Sequence, residues 1–346
     1  MSCGKNNGLQ LMKPSIDIQP LRAEDLDALT PLLAANNFQP MRYLARELGP
    51  DLTEFWSRAI ANLAAGSTAR AFFAARGGSP LGLLVYADNP WETDLFGRKA
   101  AAINTYVVDG SAPDKLQVAQ ALLDHAIQDA ASRGTQFLLG KTYTDDLTCI
   151  HALESRGFQL MDTMVDCNYD FRRKPLASLP LPALPSGVSL RLATPADRDE
   201  LAAVAGVSFR KHFGRYHADE RLGRDLATRA YEQWMRSSLD GYADWVHLAL
   251  FEGRIVGFSI WRRPSQAESQ LKVCVGHYSI AGIHPDFHGK GLFTALTYAG
   301  MQSLSGLVDM IDGPTHVNNY GVQFGFAKVG WRVLSDARHS FHKWID

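Results

Sequence analysis

Between Ile280 and Leu296 the chain reads Ile-Ala-Gly-Ile-His-Pro-Asp-Phe-His-Gly-Lys-Gly-Leu-Phe-Thr-Ala-Leu. An apolar run with Tyr278 and Ile280 in strand positions meets a Pro285-Asp286 turn, then Gly289 and Gly291, then a helical pattern from Leu292. Strand, Gly-rich turn and helix in this order aim several backbone N–H groups and the positive helix end at one point, which suits a phosphate. Gly289 and Gly291 let the backbone approach such a ligand without a Cβ in the way, and Lys290 adds a cation that can make a charge-assisted contact. The spacing is not that of a P-loop, which needs Gly-x-x-x-x-Gly-Lys-Ser/Thr. Nor is it the dinucleotide fingerprint, because Thr294 stands where the third Gly belongs.

The stretch resembles the acyl-CoA pyrophosphate loop of the GCN5-related N-acetyltransferases (GNATs), hydrophobic-x-Pro-x-x-Arg/Gln-x-x-Gly-x-Gly/Ala. Ile283, Pro285 and Gly291 match; His288 replaces Arg/Gln and Phe293 replaces the last small residue. The closing signature of that family, Asn-x-x-Ala-x-x-Leu-Tyr-x-x-x-Gly-Phe, fits in spacing from Asn319 to Gly330-Trp331. Phe326 stands where many members carry a Tyr that protonates the departing CoA thiolate, a step that a phenyl ring cannot perform. The resemblance implies an α/β (α+β) fold of two tandem GNAT-like domains, each a mixed twisted sheet flanked by helices with a splayed central strand. It implies acetyl-CoA as acyl donor, with the pantetheine arm along the backbone of Ala281, Gly282 and Ile283. The pyrophosphate would lie at His288, Gly289, Lys290, Gly291, Leu292, Phe293 and Thr294, and Asn319 and Phe326 would complete the donor site.

Acetyl transfer needs a group to take the ammonium proton and one to stabilise the thiolate. Histidine titrates near neutral pH, which makes His277 on the central strand and His342 on the last strand candidate bases. With a period of two, His277 shares a face with Ser279, Ala281 and Ile283. Tyr278 and Tyr320 are candidate donors. A structural role for each of these side chains competes with the catalytic one.

The positioning elements follow from the rest of the chain. Ile16 to Ile18 reads as a strand and Ala23 to Leu33 as a helix with acids in its first turn. Leu52 to Ala65 is helical, and Ala71 to Ala75 and Leu81 to Tyr86 form a hairpin about Gly77-Gly78. Asn89 to Gly97 reads as a loop whose Trp91, Asp94 and Phe96 either plug the core or form a substrate loop. This Trp-x-x-Asp-x-Phe-Gly stretch is similar to one in the dTDP-fucosamine acetyltransferase group. Strands at 101–108, 136–139 and 160–169, with helices at 116–132 and 147–156, close the half. Residues 173–187, rich in Pro, form a semi-rigid linker.

Past the linker the pattern repeats. Asp25 and Asp197 stand 172 positions apart, Gly82 and Gly257 175, Gly157 and Gly330 173. A near-constant offset marks a duplication. Residues 16–172 and 188–346 are thus two copies behind a flexible tail at 1–15. In the first copy the paired glycines are missing and Asp114 falls where phosphate would lie, so its expected task is to pack and to close the acceptor pocket. In the second, Phe213 to Arg221 offers Arg215, His217 and Arg221; the two arginines suit a diphosphate, as in the sugar-nucleotide group, and a solvated loop is the alternative. Strands are expected at 246–251, 255–261, 271–283, 307–311 and 335–344.

With 346 residues, 46% hydrophobic and 21% charged residues and a net charge of −1, the composition is that of a soluble globular protein. It lacks the basic footprint of a nucleic-acid or anionic-membrane binder. Cys3, Cys149, Cys167 and Cys274 have no Cys-x-x-Cys spacing, pointing to neither disulfides nor a metal and to a cytoplasmic setting. The expected function is transfer of an acetyl group from acetyl-CoA to a primary amine, that of an amino-sugar nucleotide first, with an amino acid, a polyamine or an antibiotic as the alternative acceptors. A non-catalytic acyl-CoA-binding protein is the rival. The expected partner is a small-molecule amine, with no nucleic acid or membrane, and a monomeric pseudo-dimer or a homodimer are both compatible.

Overall fold

A computed structural model describes residues 15–35 and 41–345. The expected tail falls almost wholly outside these residues. The strands are β1 (Asp17–Pro20), β2 (Ala69–Arg76), β3 (Ser79–Asp88), β4 (Ala100–Val108), β5 (Phe137–Tyr143), β6 (Gln159–Asp170), β7 (Val188–Leu192), β8 (Trp245–Phe251), β9 (Arg254–Arg262), β10 (Val275–Ile283), β11 (Met310–His316) and β12 (Arg332–Trp344). They form one 12-stranded sheet in the order β1-β2-β3-β4-β5-β12-β6-β11-β10-β9-β8-β7. Helices flank it; Leu292–Leu304 and Tyr320–Lys328 in the second half border a groove, and Lys115–Ser132 and Leu147–Ser155 are their counterparts in the first.

The duplication is visible element by element. Gly77-Gly78 turns β2 into β3, and Glu252-Gly253 turns β8 into β9, all four residues with positive φ, as tight hairpins require. β4 and β10 are both nine residues long and start 175 positions apart. Each is bulged at an equivalent place: the register with its neighbour skips Asn104 in β4 and Ser279 in β10. The helices Leu147–Ser155 and Tyr320–Lys328 are capped alike, the side chains of Asp146 and Asn319 accepting from Cys149 and Val322 N–H.

The halves are not separate in space. β6, the last strand of the first half, pairs with β11 and β12 of the second; β12 pairs with β5 and β6 of the first. The segment 173–187, the expected boundary, lies between β6 and β7, whereas in the sheet the final strands are exchanged. The cores mix accordingly. Leu44, Leu48 and Leu52 pack on Val273, Val275 and Met310, and Leu176 and Leu179 of the linker are buried against Tyr278, Phe326 and Trp331.

Three expected elements differ. The stretch 89–97 contains a helix, Pro90–Phe96, in which the Asn89 side chain accepts from Glu92 N–H; Asn before Pro is an N-cap and first-turn pair as well as a turn. The strand expected at 307–311 is β11 at Met310–His316, because Ser305 to Asp309 still form the turn that brings the chain back to β10. Likewise β10 begins at Val275 rather than at Leu271.

Candidate acyl-CoA and acceptor site

β10 and β11 run parallel for three residues only, Val275, Gly276 and His277 lying opposite Met310, Ile311 and Asp312. Beyond them β10 stays with β9 and β11 with β6, so the strands part and leave two facing edges unpaired. Tyr278 fills the crotch of this fork: its ring covers Gly313, where a Cβ would come within 2.7 Å of it. It also packs edge-on against Trp261 and Phe326, with ring centroids 5.2 Å away in each case.

Below the open edge of β10 lies a groove of about 510 Å³ lined by Ala281, Gly282, Ile283, His288, Gly289, Gly291, Leu292, Phe293, Thr294 and Asn319. Gly289 and Gly291 have φ of +74° and +81°, and nothing lies within 4 Å of the place either Cβ would take. Gly291 caps the helix Leu292–Leu304 with no side-chain bond. The N–H groups of its first turn therefore lack intrahelical partners and face the groove, where a pyrophosphate fits both their geometry and the helix dipole. His288 turns back, its Nε2 2.9 Å from the Ile283 carbonyl, and pins the turn. Phe293 lies over Gly325, where a Cβ would collide with its ring; a large residue for a small one at 293 is matched by the absence of a side chain at 325. Lys290 departs from expectation: its ammonium sits 4.5 Å above the Phe287 ring, outside the groove lining. So does Phe326, buried and stacked on Trp331 at 4.4 Å.

A second cavity, of about 260 Å³, lies on the other side of the fork. It meets the groove at Phe209, His212, Ala281, Asn319 and Val322, which line both. Its walls come from the two halves: Lys141, Asp162 and Met164 from the first, Arg215, Tyr231, His316 and Arg338 from the second. Arg215 is tied to buried Glu92, and its backbone N–H donates to Asp162 Oδ2 at 2.9 Å. Arg338 is paired with Asp166 at 2.6 Å. Burial and the charges of His217 and His316 lower the pKa of His212 to about 4, so it is neutral at neutral pH.

Of the candidate catalytic groups, only Tyr278 reaches this cavity. His277 Nδ1 is 2.7 Å from Asp312 and its Nε2 3.5 Å from Glu268. Burial alone would lower its pKa, but the two carboxylates raise it to about 10; it keeps its proton and clamps the closed end of the fork. His342 is buried with Nδ1 2.7 Å from Asp219, beneath the lining strands. Tyr320 is 61% exposed on the first turn of its helix. Of the candidate substrate groups, Arg215 lines the cavity. Trp91 and Phe96 pack on Tyr216, Phe96 also on Phe137, and so hold the segment that carries Arg215, while Asp94 is exposed. His217 stacks on Tyr231 at 5.6 Å, and the Arg221 guanidinium lies 4.8 Å over the Trp344 ring. Lys141 and Asp162 were not foreseen because they belong to the half without the glycines, on strands that read as packing.

The equivalent fork in the first half is filled. β4 and β5 also pair over three residues, Ala100 to Ala102 opposite Phe137 to Leu139. There the Cys149 thiol approaches the Tyr106 carbonyl at 3.7 Å, on the edge that Ala281 leaves open in the second half. Asp114 stands at the N-cap position of the helix Lys115–Ser132, where its side chain makes no cap bond and is instead paired with Arg76. Among the described residues no helix is long and apolar enough to cross a membrane, and no group of three His, Cys, Asp or Glu side chains is placed to share a metal.

No protein-family model matches the chain. It is similar to the spore coat polysaccharide biosynthesis protein SpsD of Bacillus subtilis, 23% identical over 215 residues, covering 60% of this chain and 65% of that protein. It is similar to the mycothiol acetyltransferase of Streptomyces coelicolor, 35% identical over 137 residues, covering 39% of this chain and 40% of that one. The chain thus aligns over less than two thirds of either relative. Among solved structures, a tandem GNAT protein from the clavulanic acid biosynthesis pathway superposes with a TM-score of 0.57 at 17% identity, over 95% of this chain and 98% of that one. A GCN5-related N-acetyltransferase from Sphaerobacter thermophilus gives 0.59 at 15% identity, over 95% of each chain. With two forks in one sheet, exchanged final strands and these superpositions over nearly the whole length, the chain has the tandem fold of the GCN5-related N-acetyltransferases.

Proposed function

We propose that the chain is an acetyl-CoA-dependent N-acetyltransferase acting on a primary amine, with its donor site in the second half. The observation that carries this reading is the continuity of the two cavities through the fork: the groove on one side and the acceptor cavity on the other meet at Ala281 and Asn319. The relatives named as acetyltransferases support it. Acetyl-CoA supplies an activated acetyl thioester when bound. The chain's own part is to hold the pyrophosphate on the uncapped amides of Leu292, Phe293 and Thr294 and to pair the open β10 edge with the pantetheine arm.

Tyr278 takes the place of the phenol missing at 326. It comes from the opposite side of the same cluster, and its ring touches Phe326. Burial raises its pKa well above the ordinary value, against the opposite pull of a backbone hydrogen bond with Ala281. It therefore holds a proton at neutral pH beside the position where a thiolate would emerge. The proton leaving the amine has two acceptors facing it, neutral His212 at the junction and Oδ1 of Asp162, which is buried and has no partner.

The test is calorimetric titration with acetyl-CoA, wild type against Gly291→Val. Valine is strained at the left-handed φ of this position, by about 1–2 kcal/mol, and its branches enter the groove. Affinity should fall at least tenfold with the melting transition still cooperative. Equal affinity in the two proteins removes the groove as the donor site. Binding without turnover on an amine panel favours the non-catalytic reading instead.

A further inference from the structure

The acceptor cavity holds charges that the protein does not neutralise itself. Arg215 is held by Glu92 and Arg338 by Asp166. Lys141, on β5, makes neither a hydrogen bond nor an ion pair with any described residue, and its side chain opens into the cavity it lines. Two further atoms in the same wall are buried without partners and have opposite sign, Nη1 of Arg215 and Oδ1 of Asp162. Asp162 is 7% exposed, and its other oxygen is already used by the Arg215 amide. Buried polar atoms without partners are costly and rare. Here Lys141 opens into one space of about 260 Å³, and an unpartnered cationic and an unpartnered anionic atom lie just within its wall.

We propose, resting on the acetyltransferase reading, that the acceptor is a small amine bearing its own acidic group. Lys141 and the open Nη1 of Arg215 bind the acid, and Asp162 Oδ1 receives the ammonium. Each open atom of the wall then finds the complementary charge. The groove side of the cavity, at Ala281 and Asn319, is left for the thioester.

Lys141 responds to its surroundings in a way that makes the proposal measurable. Lys141 is exposed to the cavity's solvent, yet the protein packed around that cavity desolvates its ammonium and, with Arg215 and Arg338 nearby, lowers its pKa to about 8, against the opposing pull of Glu92 and Asp162. The other titratable groups facing this space are His212, His316, Tyr216, Tyr231 and Tyr278. An anion placed on Lys141 favours its charged form and raises the pKa again. Binding near pH 8.5 therefore takes up a proton, and affinity for the acid declines as pH rises through 8.

The experiment is calorimetry on the full chain preloaded with CoA, using β-alanine, O-phosphoethanolamine and ethanolamine at pH 8.5 in two buffers of different ionisation enthalpy. At least one acid-bearing amine should bind ten or more times tighter than ethanolamine, with proton uptake; which of the two does so separates carboxylate from phosphate. Lys141→Met should erase both the preference and the uptake. The proposal is overturned if neither acidic amine binds tighter than ethanolamine, or if Lys141→Met keeps the preference. Loading with CoA in the same cell reports on the donor site separately, so loss of the acid preference with CoA bound leaves the acetyltransferase reading standing.

Discussion

The hydroxyl of Tyr278 is one oxygen atom on a ring that is otherwise structural. The ring is wedged over Gly313 and between Trp261 and Phe326, and Tyr278→Phe keeps all of that packing. If the hydroxyl protonates the departing thiolate, the variant should lose about 10²-fold in kcat, the lower end for general acid catalysis, with acetyl-CoA affinity and melting temperature unchanged. Steady-state kinetics with thiol detection decides it, and an unaltered kcat would hand the proton to water. That Tyr278 lies on the central strand was legible in the sequence, and the structure places it in the cavity wall. That His277 is instead held by two carboxylates was illegible, because strand periodicity gives a face but no neighbours. The ion partners of His277, Glu268 and Asp312, lie nine positions before it and 35 after. The bulge that skips Ser279 in the register also breaks the alternation on which the shared face was argued.

At the scale of elements, the helix N-terminus and the helix that packs beside it must fit each other. Phe293 on the first turn of Leu292–Leu304 lies over Gly325 on Tyr320–Lys328, and Phe293 and Phe326 meet edge to face at 5.3 Å. Gly325→Leu would place a branched side chain where that ring now rests. The ring then has only the groove to move into. Acetyl-CoA affinity should drop at least tenfold in Gly325→Leu and return in the double variant Gly325→Leu with Phe293→Ala, measured by calorimetry; no rescue would mean that the helices adjust in another way. Phe293 looked like a departure from a motif, and only its contact with Gly325 shows what accommodates it. Helix ends, the Gly-rich turn and both hairpins were legible because turn chemistry is local. Pro90–Phe96 was misread for the same reason, since Asn-Pro starts turns and helices alike.

For the whole molecule the governing fact is the exchange of β6 and β12. An offset of about 173 residues identifies two copies, but it carries no information on which strand of one copy pairs with which strand of the other; both arrangements have the same sequence pattern. The exchange explains why the half with a filled fork is kept: β5 and β6 supply Lys141 and Asp162 to the acceptor cavity and both neighbours of β12. A second half expressed alone, residues 188–346, would leave β12 without a neighbouring strand and β11 with an open edge. It should fail to fold or aggregate. The sharper test keeps every residue. Leu181 and Leu184 in the linker are 74% and 39% exposed, whereas Leu176 and Leu179 before them are buried, so a protease site placed between 181 and 186 is accessible and touches no core. After cleavage the two fragments should run separately on a denaturing gel but elute together, at the size of the uncut chain, in native gel filtration, and still bind acetyl-CoA. Fragments joined only by a tether would separate at once. Elution as two species would show that the sheet is not shared and would detach the acceptor cavity from the first half.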